Sequence, residues 1–435
     1  LPLYRRVREK FADQLTFLCY DYVDLAWRHT YCGLFSMKKD GVTWYFLDNE
    51  QYFDRPELYG YVDDGERFGF FSRAVVKMLD HLEFWPDVIH CNDWQTALVP
   101  VYYGLDYNCR PWYSNIKTVF TIHNIQFQGQ YGREILDYVL GIDDHHFQNG
   151  FMQQDGDVNL MKAAIVCSDR VTTVSQTYAQ EIQTAFYGFR LDAVLRWNQG
   201  KVCGIVNGID VDAFNPETDP HLFKNYGINS LDDKKVNRSE LLKMCGLEAS
   251  DETMVIGMVG RLTSQKGLDL VQCVLNDILE KDVRMIVLGT GDYDYEQMFM
   301  RAKWEHPDKI STNIMFSADL ANKIYAGCDL FLMPSLFEPC GLAQMIAMRY
   351  GTLPLVRETG GLKDTVQPYN QFTGEGTGFS FANYNAHEML HVIEEAAALF
   401  RHDQKAWRQM QCNAMNRDFS WDRSAQAYID LYQGI

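Results

Sequence analysis

The sequence predicts an α/β protein of two doubly wound domains that face each other across a cleft. Three observations support this fold class. The chain has 435 residues, too many for one hydrophobic core. Short, almost continuously apolar runs alternate with segments of helical length, as in a parallel sheet covered on both faces. The same pattern restarts after a turn signal at Asn198-Gln199-Gly200. A cleft between two such domains is a preferred place for a ligand.

We assign residues 1–200 to an N-terminal domain, 201–410 to a C-terminal domain, and 411–435 to a terminal helix that returns to the first domain. The first domain opens with aromatic and β-branched strands, and Lys39-Asp40-Gly41 is a hairpin turn signal. Further strands of this domain are predicted at 88–91, 119–122 and 171–174. Strands of the second domain are predicted at 203–206, 254–259, 285–288, 314–316, 330–333, 353–356 and 379–381.

Composition excludes several classes of protein. The net charge of −18 argues against a nucleic-acid partner, because phosphate backbones are bound by basic patches. No apolar run approaches the roughly 20 residues of a membrane span. The 11 cysteines are odd in number and scattered, which favours reduced thiols in a cytoplasmic protein. There is no histidine cluster and no Asp-x-Asp motif at a strand end, so we predict neither a metal nor another cofactor.

The most informative stretch is residues 334–364. One apolar strand runs into a loop that carries a single acid, Glu338, and the next strand ends in Thr359-Gly360-Gly361. In an open parallel sheet, ligands bind at the carboxyl ends of the strands. We expect the glycine turn to present bare backbone N–H groups, which suit a phosphate. The two loops together predict a site for a nucleotide-linked polar substrate, a sugar.

Two cations lie on the loop 260–267, between a predicted strand and a predicted helix. Arg261 and Lys266 at this position would stabilise the negative charge that develops on a departing diphosphate. The alternative is that both are solvated surface cations, which is the usual fate of Lys and Arg. The strand–loop–helix context and the acidic background favour the functional interpretation.

Polar residues also follow strands in the first half. Asp93 follows the strand at 88–91, and His123 and Asn124 follow the next strand. Asp93 could bind a sugar hydroxyl. His123 is equally well explained as a sugar ligand or as a structural histidine. Asn207 could contact a sugar, but Asn207-Gly208 is more simply explained as a turn.

Glu338 has three possible roles: nucleophile, base or ligand of a hydroxyl. Double displacement at a sugar carbon requires two neighbouring carboxylates, and no partner acid follows on this loop. We therefore favour an electrostatic or hydroxyl-binding role over a covalent one.

Five motifs resemble, in order, those of the bacterial glycogen synthases and plant starch synthases: HCNDWQTALVP, TIHNIQFQG, GIVNGIDVDAFNPETD, GRLTSQKGLDL and SLFEPCGLAQMIAMRYGTLPLVRETGGLKDTV. The resemblance extends from about residue 1 to the C-terminus. It implies the GT-B arrangement of two Rossmann-like domains. It also implies retaining transfer of glucose from ADP-glucose to the non-reducing end of an α-1,4-glucan, such as glycogen or a maltooligosaccharide, without a metal. The implied location is the bacterial cytoplasm, with the plastid as the alternative.

The resemblance implies roles for individual residues. Arg261 and Lys266 hold the diphosphate, Glu338 and Cys340 lie beside the glucosyl group, and Phe316 stacks on adenine where the family often has Tyr. We take Arg261, Lys266, Glu338 and His123 as the catalytic residues. The remaining substrate-binding residues implied by the same motifs are Asp93, Asn124, Asn207, Gly341, Leu342, Thr359, Gly360 and Gly361.

The chain departs from the family in two ways. The family's N-terminal Lys-x-Gly-Gly-Leu loop is absent, and LPLYRRV resembles the segment that follows it. The resemblance therefore implies a truncated first domain and weak or absent activity. Ile346 stands where retaining sugar transferases of another family carry a second Glu, which agrees with the glycogen and starch synthases. Three alternatives stay open: a non-catalytic glucan-binding or scaffold protein, a phosphorylase that uses pyridoxal phosphate, and a transferase that uses a UDP-sugar.

Overall fold

The computed structural model describes residues 1–435, which form two compact units. The first unit contains Leu1–Thr173, Ile182–Cys203 and Tyr432–Ile435, and the second contains Val174–Glu181 and Gly204–Leu431. The sequence placed one boundary at residue 200. In the structure the main boundary follows Cys203, and a short segment of the first half belongs to the second unit. Each unit is therefore discontinuous in sequence.

The structure contains sixteen strands and seventeen α-helices. The strands are β1 (Thr16–Leu25), β2 (Arg28–Lys39), β3 (Val42–Asp48), β4 (Val88–Asn92), β5 (Lys117–Ile122), β6 (Gln130–Tyr131), β7 (Gln153–Gln154), β8 (Asp157–Asn159), β9 (Arg170–Thr173), β10 (Val202–Gly204), β11 (Met254–Val259), β12 (Val283–Leu288), β13 (Ile310–Asn313), β14 (Leu330–Met333), β15 (Leu353–Arg357) and β16 (Phe379–Phe381). The helices are α1 (Arg5–Phe11), α2 (Glu50–Phe53), α3 (Asp64–Leu82), α4 (Leu98–Tyr102), α5 (His145–Gln148), α6 (Leu160–Cys167), α7 (Gln176–Glu181), α8 (Asp192–Trp197), α9 (Lys234–Cys245), α10 (Leu268–Glu280), α11 (Tyr293–Glu305), α12 (Ala318–Gly327), α13 (Ala343–Arg349), α14 (Gly360–Thr365), α15 (Ala386–His402), α16 (Gln404–Met415) and α17 (Trp421–Gln433).

The first unit contains a four-stranded sheet in the order β10-β9-β5-β4, in which β4, β5 and β9 run parallel. An antiparallel meander, β1-β2-β3, precedes it in sequence. Its second turn is the predicted hairpin, in which Asp40 and Gly41 both have positive φ, 54° and 77°. This is the two-residue turn whose twist matches that of the flanking strands. The three-stranded sheet β6-β8-β7 was not predicted.

The second unit contains one six-stranded sheet in the order β13-β12-β11-β14-β15-β16, and all of its pairs are parallel. Counted from β11, the order is 3-2-1-4-5-6, the doubly wound order of dinucleotide-binding folds. Every residue of β14 and β15 is buried, as expected for strands covered on both faces. The strand order reverses between β11 and β14, so a crevice opens at their carboxyl ends. The predicted α/β class is confirmed.

One strand prediction was wrong. We predicted a strand at 314–316, but β13 ends at Asn313, and Phe316 is 92% exposed. The true strand is mostly polar, and Ser311 and Thr312 are buried within it. The Asn313 side chain donates to the Val287 carbonyl at 3.1 Å. Buried hydrogen bonds thus replace the apolar run that marks the other strands.

The C-terminal tail, which the sequence assigned at 411–435 to a helix that returns to the first domain, is divided between the two units. Helix α17 belongs to the second unit through Leu431, and only Tyr432–Ile435 belong to the first. The Ile209 N–H donates to the Phe419 carbonyl at 2.8 Å, and the Ser424 hydroxyl donates to the Val206 carbonyl at 2.6 Å. These bonds tie α17 to the start of the second unit. None of the helices combines the length and apolar character that a membrane crossing requires.

Candidate active site

A pocket lies at the carboxyl ends of β11 and β14, where the strand order of the second unit reverses. Its walls are the loop after β11, with Arg261 and Lys266, and the loop after β14, with Ser335 and Glu338. Apolar side chains complete it; they are Met258, Val259, Leu262, Leu268, Leu288, Leu332, Met333 and Leu342. The pocket therefore has cations on one wall, an acid on the other and an apolar lining. Sequence reasoning placed both charged loops at one site, and the structure brings them together.

Glu338 and Lys266 form an ion pair within this pocket. The Lys266 ammonium lies 2.6 Å from Glu338 Oε2, and the Ser335 hydroxyl donates to the same oxygen at 3.0 Å. The Glu338 residue is 6% exposed, whereas the Lys266 side chain is 25% exposed. A buried carboxylate needs such partners, because its desolvation is otherwise uncompensated. The pair therefore anchors the lysine while leaving it open to a ligand.

Arg261 differs from Lys266 in having no partner within the protein. It is exposed, lines the same pocket, and makes no ion pair or side-chain hydrogen bond. Its donors are therefore available to an anion, and a planar guanidinium suits the paired oxygens of a phosphate.

Residues with unpaired backbone donors line the same pocket at the start of α13. The N–H groups of Gly341, Leu342 and Ala343 make no hydrogen bond within the protein, and all three residues line the pocket. Gly341 has a φ of +71°, a conformation that favours glycine. Unpaired N–H groups at the first turn of a helix are a binding site for an anion. Gly341 and Leu342 were predicted as substrate-binding residues, whereas Ala343 was missed.

The expected phosphate cradle at Thr359-Gly360-Gly361 is not bare. The Gly360 N–H donates to both carboxylate oxygens of Glu181 at 3.1 Å, and the Thr359 hydroxyl donates to Glu181 Oε1 at 2.9 Å. The Gly361 N–H donates to the carbonyls of Glu338 and Pro339. The expectation of free N–H groups here was therefore wrong, because tertiary contacts satisfy them.

Close packing explains these glycines instead. A Cβ on Gly360 would lie 2.0 Å from the Glu338 carbonyl oxygen, and one on Gly361 would lie 2.1 Å from the Cys340 carbonyl oxygen. Two backbones can approach this closely only without side chains between them. The Gly360-Gly361 turn therefore packs directly on the backbone of the loop that carries Glu338.

Two further residues, Arg357 and Gln265, hold the loop that carries Glu338, here called the acid loop, and were not singled out from the sequence. The Arg357 guanidinium donates to the Ser335 carbonyl at 2.8 Å, and the Leu336 N–H donates to the Gln265 carbonyl at 2.9 Å. Arg357 ends β15 and is almost completely buried. A charged residue that ends an otherwise apolar strand was the available signal for Arg357.

Cys340 and Asn207 meet at the edge of this loop. The Asn207 backbone N–H faces the Cys340 thiol, and burial raises the pKa of that thiol to about 12. The thiol is therefore neutral at physiological pH. The Asn207-Gly208 pair is not the plain turn that its residues suggest. A Cβ on Gly208 would lie 2.6 Å from the Trp421 backbone, so the glycine permits α17 to pack closely.

Phe316 lies on the loop between β13 and α12 and does not line the pocket described above. Its ring is almost fully exposed. An exposed aromatic ring on a strand-end loop is free to stack on a base.

The first unit has its own polar cluster after β4 and β5. Asp93 Oδ1 accepts the His123 N–H at 2.8 Å, and the His123 ring nitrogen Nε2 lies 2.9 Å from Asn92 Oδ1. Burial raises the pKa of Asp93, opposed by the charge of His123 and by N–H donors of His123 and Asn124. The structure thus brings Asp93, His123 and Asn124 together, as their positions after neighbouring strands predicted.

Asp93 adopts an unusual backbone conformation, with φ 56° and ψ 178°. This region is occupied almost only by glycine, and a non-glycine residue there costs about 1–3 kcal/mol. Asn124 Oδ1 accepts the Gln126 N–H at 3.0 Å and so also closes a local turn. Strain at a strand end beside a histidine marks the cluster as a candidate functional site.

Two α/β units, the second doubly wound with a cationic pocket at its switch point, define the class of GT-B glycosyltransferases. Residues 1–197 match the family model described as starch synthase catalytic domain, and residues 246–414 match glycosyl transferases group 1. Glycogen synthase from Desulforamulus reducens is 48% identical over all 435 residues, which cover 90% of that protein. Glycogen synthase from Bacillus cereus is 49% identical, also over the whole chain, which covers 91% of it. The chain belongs to the glycogen and starch synthase family.

Solved structures agree with this family. The catalytic domain of starch synthase IV from Arabidopsis thaliana, bound to ADP and acarbose, matches 97% of this chain and 88% of its own, with a TM-score of 0.88 and 34% identity. Sucrose-phosphate synthase from Thermosynechococcus elongatus has a TM-score of 0.56 at 17% identity, over 87% of this chain and 81% of its own. That second likeness concerns the fold alone.

Proposed function

We propose that this glycosyltransferase transfers glucose from ADP-glucose to the non-reducing end of an α-1,4-glucan, with retention of the anomeric configuration. The observation that carries the proposal is the pocket at the switch point of the second unit. There, Arg261, Lys266 and the residues Gly341, Leu342 and Ala343, whose N–H groups have no partner in the protein, line one pocket with a buried acid. The starch synthase IV relative that was solved with ADP and acarbose supports the choice of nucleotide and acceptor.

The donor side of the reaction follows from the charges. The bond between glucose C1 and the diphosphate oxygen breaks, and negative charge accumulates on the departing ADP. Arg261 and Lys266 are cations that line the pocket, and they stabilise this charge more in the transition state than in bound ADP-glucose. The N–H groups at the start of α13 add donors that require no reorganisation during the reaction.

The acceptor hydroxyl supplies the bond that replaces the one broken at glucose C1. The 4-hydroxyl oxygen of the glucan end forms the new bond to C1 on the face from which ADP departs. Its proton passes to a diphosphate oxygen of the leaving group. The products are ADP and a glucan longer by one α-linked glucose.

Glu338 serves this reaction electrostatically. One oxygen is held by Lys266 and Ser335, so the carboxylate orients the lysine and places negative charge beside the pocket. On the first unit, we propose His123 as a ligand of the reacting sugar, held by Asp93. Asn207 and Cys340 would contact the glucosyl group, and Phe316 the adenine. We place the protein in the bacterial cytoplasm, with the plastid as the alternative.

The test is elongation of a maltooligosaccharide with ADP-glucose and, separately, UDP-glucose as donor. We expect faster elongation from ADP-glucose, equimolar ADP release and a new α-linkage by NMR. Arg261→Ala and Lys266→Ala should each lower turnover by about 10²–10³-fold. Lys281→Ala is the matched control, because Lys281 pairs with Glu394 on the surface of the same unit.

Four results would contradict the proposal. Faster transfer from UDP-glucose would exclude ADP-glucose as the preferred donor. Glucan binding without elongation would favour the non-catalytic alternative. Near-normal turnover in the Arg261 and Lys266 variants would remove the phosphate assignment. Absorbance of the purified protein in the pyridoxal phosphate band would favour a phosphorylase.

A further inference from the structure

The segment Val174–Glu181, here called the strap, comes from the first half of the sequence and belongs to the second unit. The chain leaves the first unit after Thr173 and re-enters it at Ile182. Helix α7 occupies most of the strap. The strap packs against α14 and the acid loop, which carries Glu338.

Two hydroxyl residues anchor the front of the strap. The Ser175 hydroxyl donates to the Pro339 carbonyl at 2.6 Å, one residue beyond Glu338. The backbone N–H and hydroxyl of Thr177 donate to the two oxygens of Asp364, at 2.9 Å and 2.5 Å. Asp364 lies on α14. The strap is therefore hydrogen-bonded both to the acid loop, at Pro339, and to α14.

Glu181 anchors the back of the strap. Its carboxylate receives the Gly360 N–H on both oxygens and the Thr359 hydroxyl on one. These are the first donors of α14, which would otherwise have no intrahelical partner. Burial raises the pKa of Glu181, although the same donors and the charge of Arg357 oppose this.

The next contacts reach Glu338 itself. The Gly361 N–H donates to the Glu338 carbonyl at 3.0 Å, and Gly360 packs so closely on this carbonyl that no side chain would fit between them. A shift of the α14 N-terminus must therefore move the backbone of Glu338. The same loop continues into Gly341, which lines the pocket.

We propose that Glu181 is a positioning residue for glucosyl transfer: it fixes the N-terminus of α14, and thereby holds Glu338 and the N–H groups that follow it. This inference rests on the proposed function of the pocket. Glu181 touches neither donor nor acceptor. Its carboxylate acts through two intermediate residues, Gly360 and Gly361.

The experiment compares Glu181→Ala, Glu181→Gln and the control Glu388→Ala in the full chain. Glu388 is matched chemically, since its carboxylate accepts the backbone N–H groups of Ala382 and Asn383, away from the acid loop. We expect Glu181→Ala to lower kcat roughly 10- to 100-fold, because about 1 Å of displacement at a reacting site has such an effect. The KM for ADP-glucose and the Kd for ADP should rise by a smaller factor than kcat falls, because Arg261 and Lys266 remain and the displaced N–H groups supply only part of the diphosphate contacts.

A readout independent of turnover is amide hydrogen exchange of the peptides that cover 334–346 and 358–366. Both should exchange faster in Glu181→Ala than in wild type. Glu181→Gln keeps one acceptor oxygen and should recover part of the turnover and part of the protection. Glu388→Ala should retain wild-type kcat at a comparable loss of Tm.

The proposal is overturned by unchanged exchange in both peptides, by wild-type kcat in Glu181→Ala, or by an equal loss of kcat in Glu388→Ala. A loss of ADP affinity as large as the loss of turnover would also overturn it, because Glu181 would then act on donor binding. Failure of the wild-type protein to elongate glucan is a separate result. It would reject the proposed function, while the exchange data would still decide whether Glu181 holds the loop.

Discussion

The ammonium of Lys266 lies 2.6 Å from the buried carboxylate of Glu338. The lysine is thus held in place by a group of the protein itself, which lowers the reorganisation required during the reaction. The acid is also paired, which offsets the cost of its burial. Glu338 therefore positions Lys266, and Lys266 compensates the burial of Glu338. Removing only one of the two should destabilise the folded protein.

We predict that Lys266→Met destabilises the protein more than the double variant Lys266→Met/Glu338→Gln. The single change leaves a buried carboxylate with only the Ser335 hydroxyl, at a cost of about 2–3 kcal/mol. The double change removes the charge and should recover most of this loss. The measurement is Tm by calorimetry, where we expect a decrease of about 5 °C for the single variant. Additive effects of the two changes would contradict the coupling.

We predict that Gly360→Ala inactivates the protein whereas Gly374→Ala does not. Both glycines have positive φ, +44° and +72°, so alanine brings similar backbone strain of about 1 kcal/mol at each. A Cβ on Gly374 meets nothing within 4 Å, whereas one on Gly360 would lie 2.0 Å from the Glu338 carbonyl. Turnover should fall about 100-fold only for Gly360→Ala. Equal activity of the two variants would show that the acid loop tolerates displacement.

We predict that Phe316→Ala weakens ADP binding about 3- to 10-fold without lowering Tm. The ring is almost fully exposed, so its loss removes little packing, while stacking on adenine is worth about 1 kcal/mol. Phe372→Ala is the control, because this ring is 90% exposed on another loop of the same unit. Titration calorimetry with ADP measures the difference. An unchanged Kd for Phe316→Ala would remove the adenine assignment.

We predict that His90 makes the first unit sensitive to mild acid. Its ring lies 2.6 Å from both the Tyr432 and Thr121 hydroxyls, and burial, with the nearby His123, lowers its pKa from 6.5 to about 4. The unfolded chain therefore binds a proton between pH 6.5 and 4 that the folded chain does not. The stability that neutral His90 contributes is complete above pH 6.5 and falls as the pH falls through this window.

The comparison variant for this prediction is His90→Gln. Between pH 7 and pH 5, wild type should lose about 2 kcal/mol more stability than the variant. Urea unfolding at both pH values gives the free energy of unfolding, and its change with pH is compared between wild type and His90→Gln. An equal pH dependence of the free energy of unfolding in the two proteins would mean that His90 is not buried as a neutral ring.

The sequence predicted the second unit well where burial leaves an apolar run. Strands β11, β14 and β16 have the predicted bounds. Strands β11 and β14 are interior strands of almost purely apolar residues, and the edge strand β16 buries Phe379 and Phe381. Strand β13 was misplaced because its buried Ser311 and Thr312 are polar, and polar residues are typical of loops. The charged pocket was predictable because Arg261, Lys266 and Glu338 follow strands whose carboxyl ends must meet at one edge.

The fine structure of the site was not predictable in the same way. Whether the Gly360 N–H is free depends on Glu181, which is 179 residues away in sequence. The glycines of this turn were assigned to a ligand, whereas they permit one backbone to lie against another. Local spacing does not indicate which donors a distant segment will occupy. Conversely, no sequence pattern indicates that the Ala343 N–H is unpaired, because this depends on the hydrogen bonds of the folded chain.

The strap makes the usual division of such a gene into two halves unsafe. A fragment that begins near residue 204 would lack Val174–Glu181, and with it the acceptors that α14 uses. A fragment that ends there would carry Glu181 without Gly360. Exchange of halves between two synthases would likewise join a strap from one parent to an acid loop from the other. Chimeras should therefore inherit Val174–Glu181 from the same parent as residues 334–365.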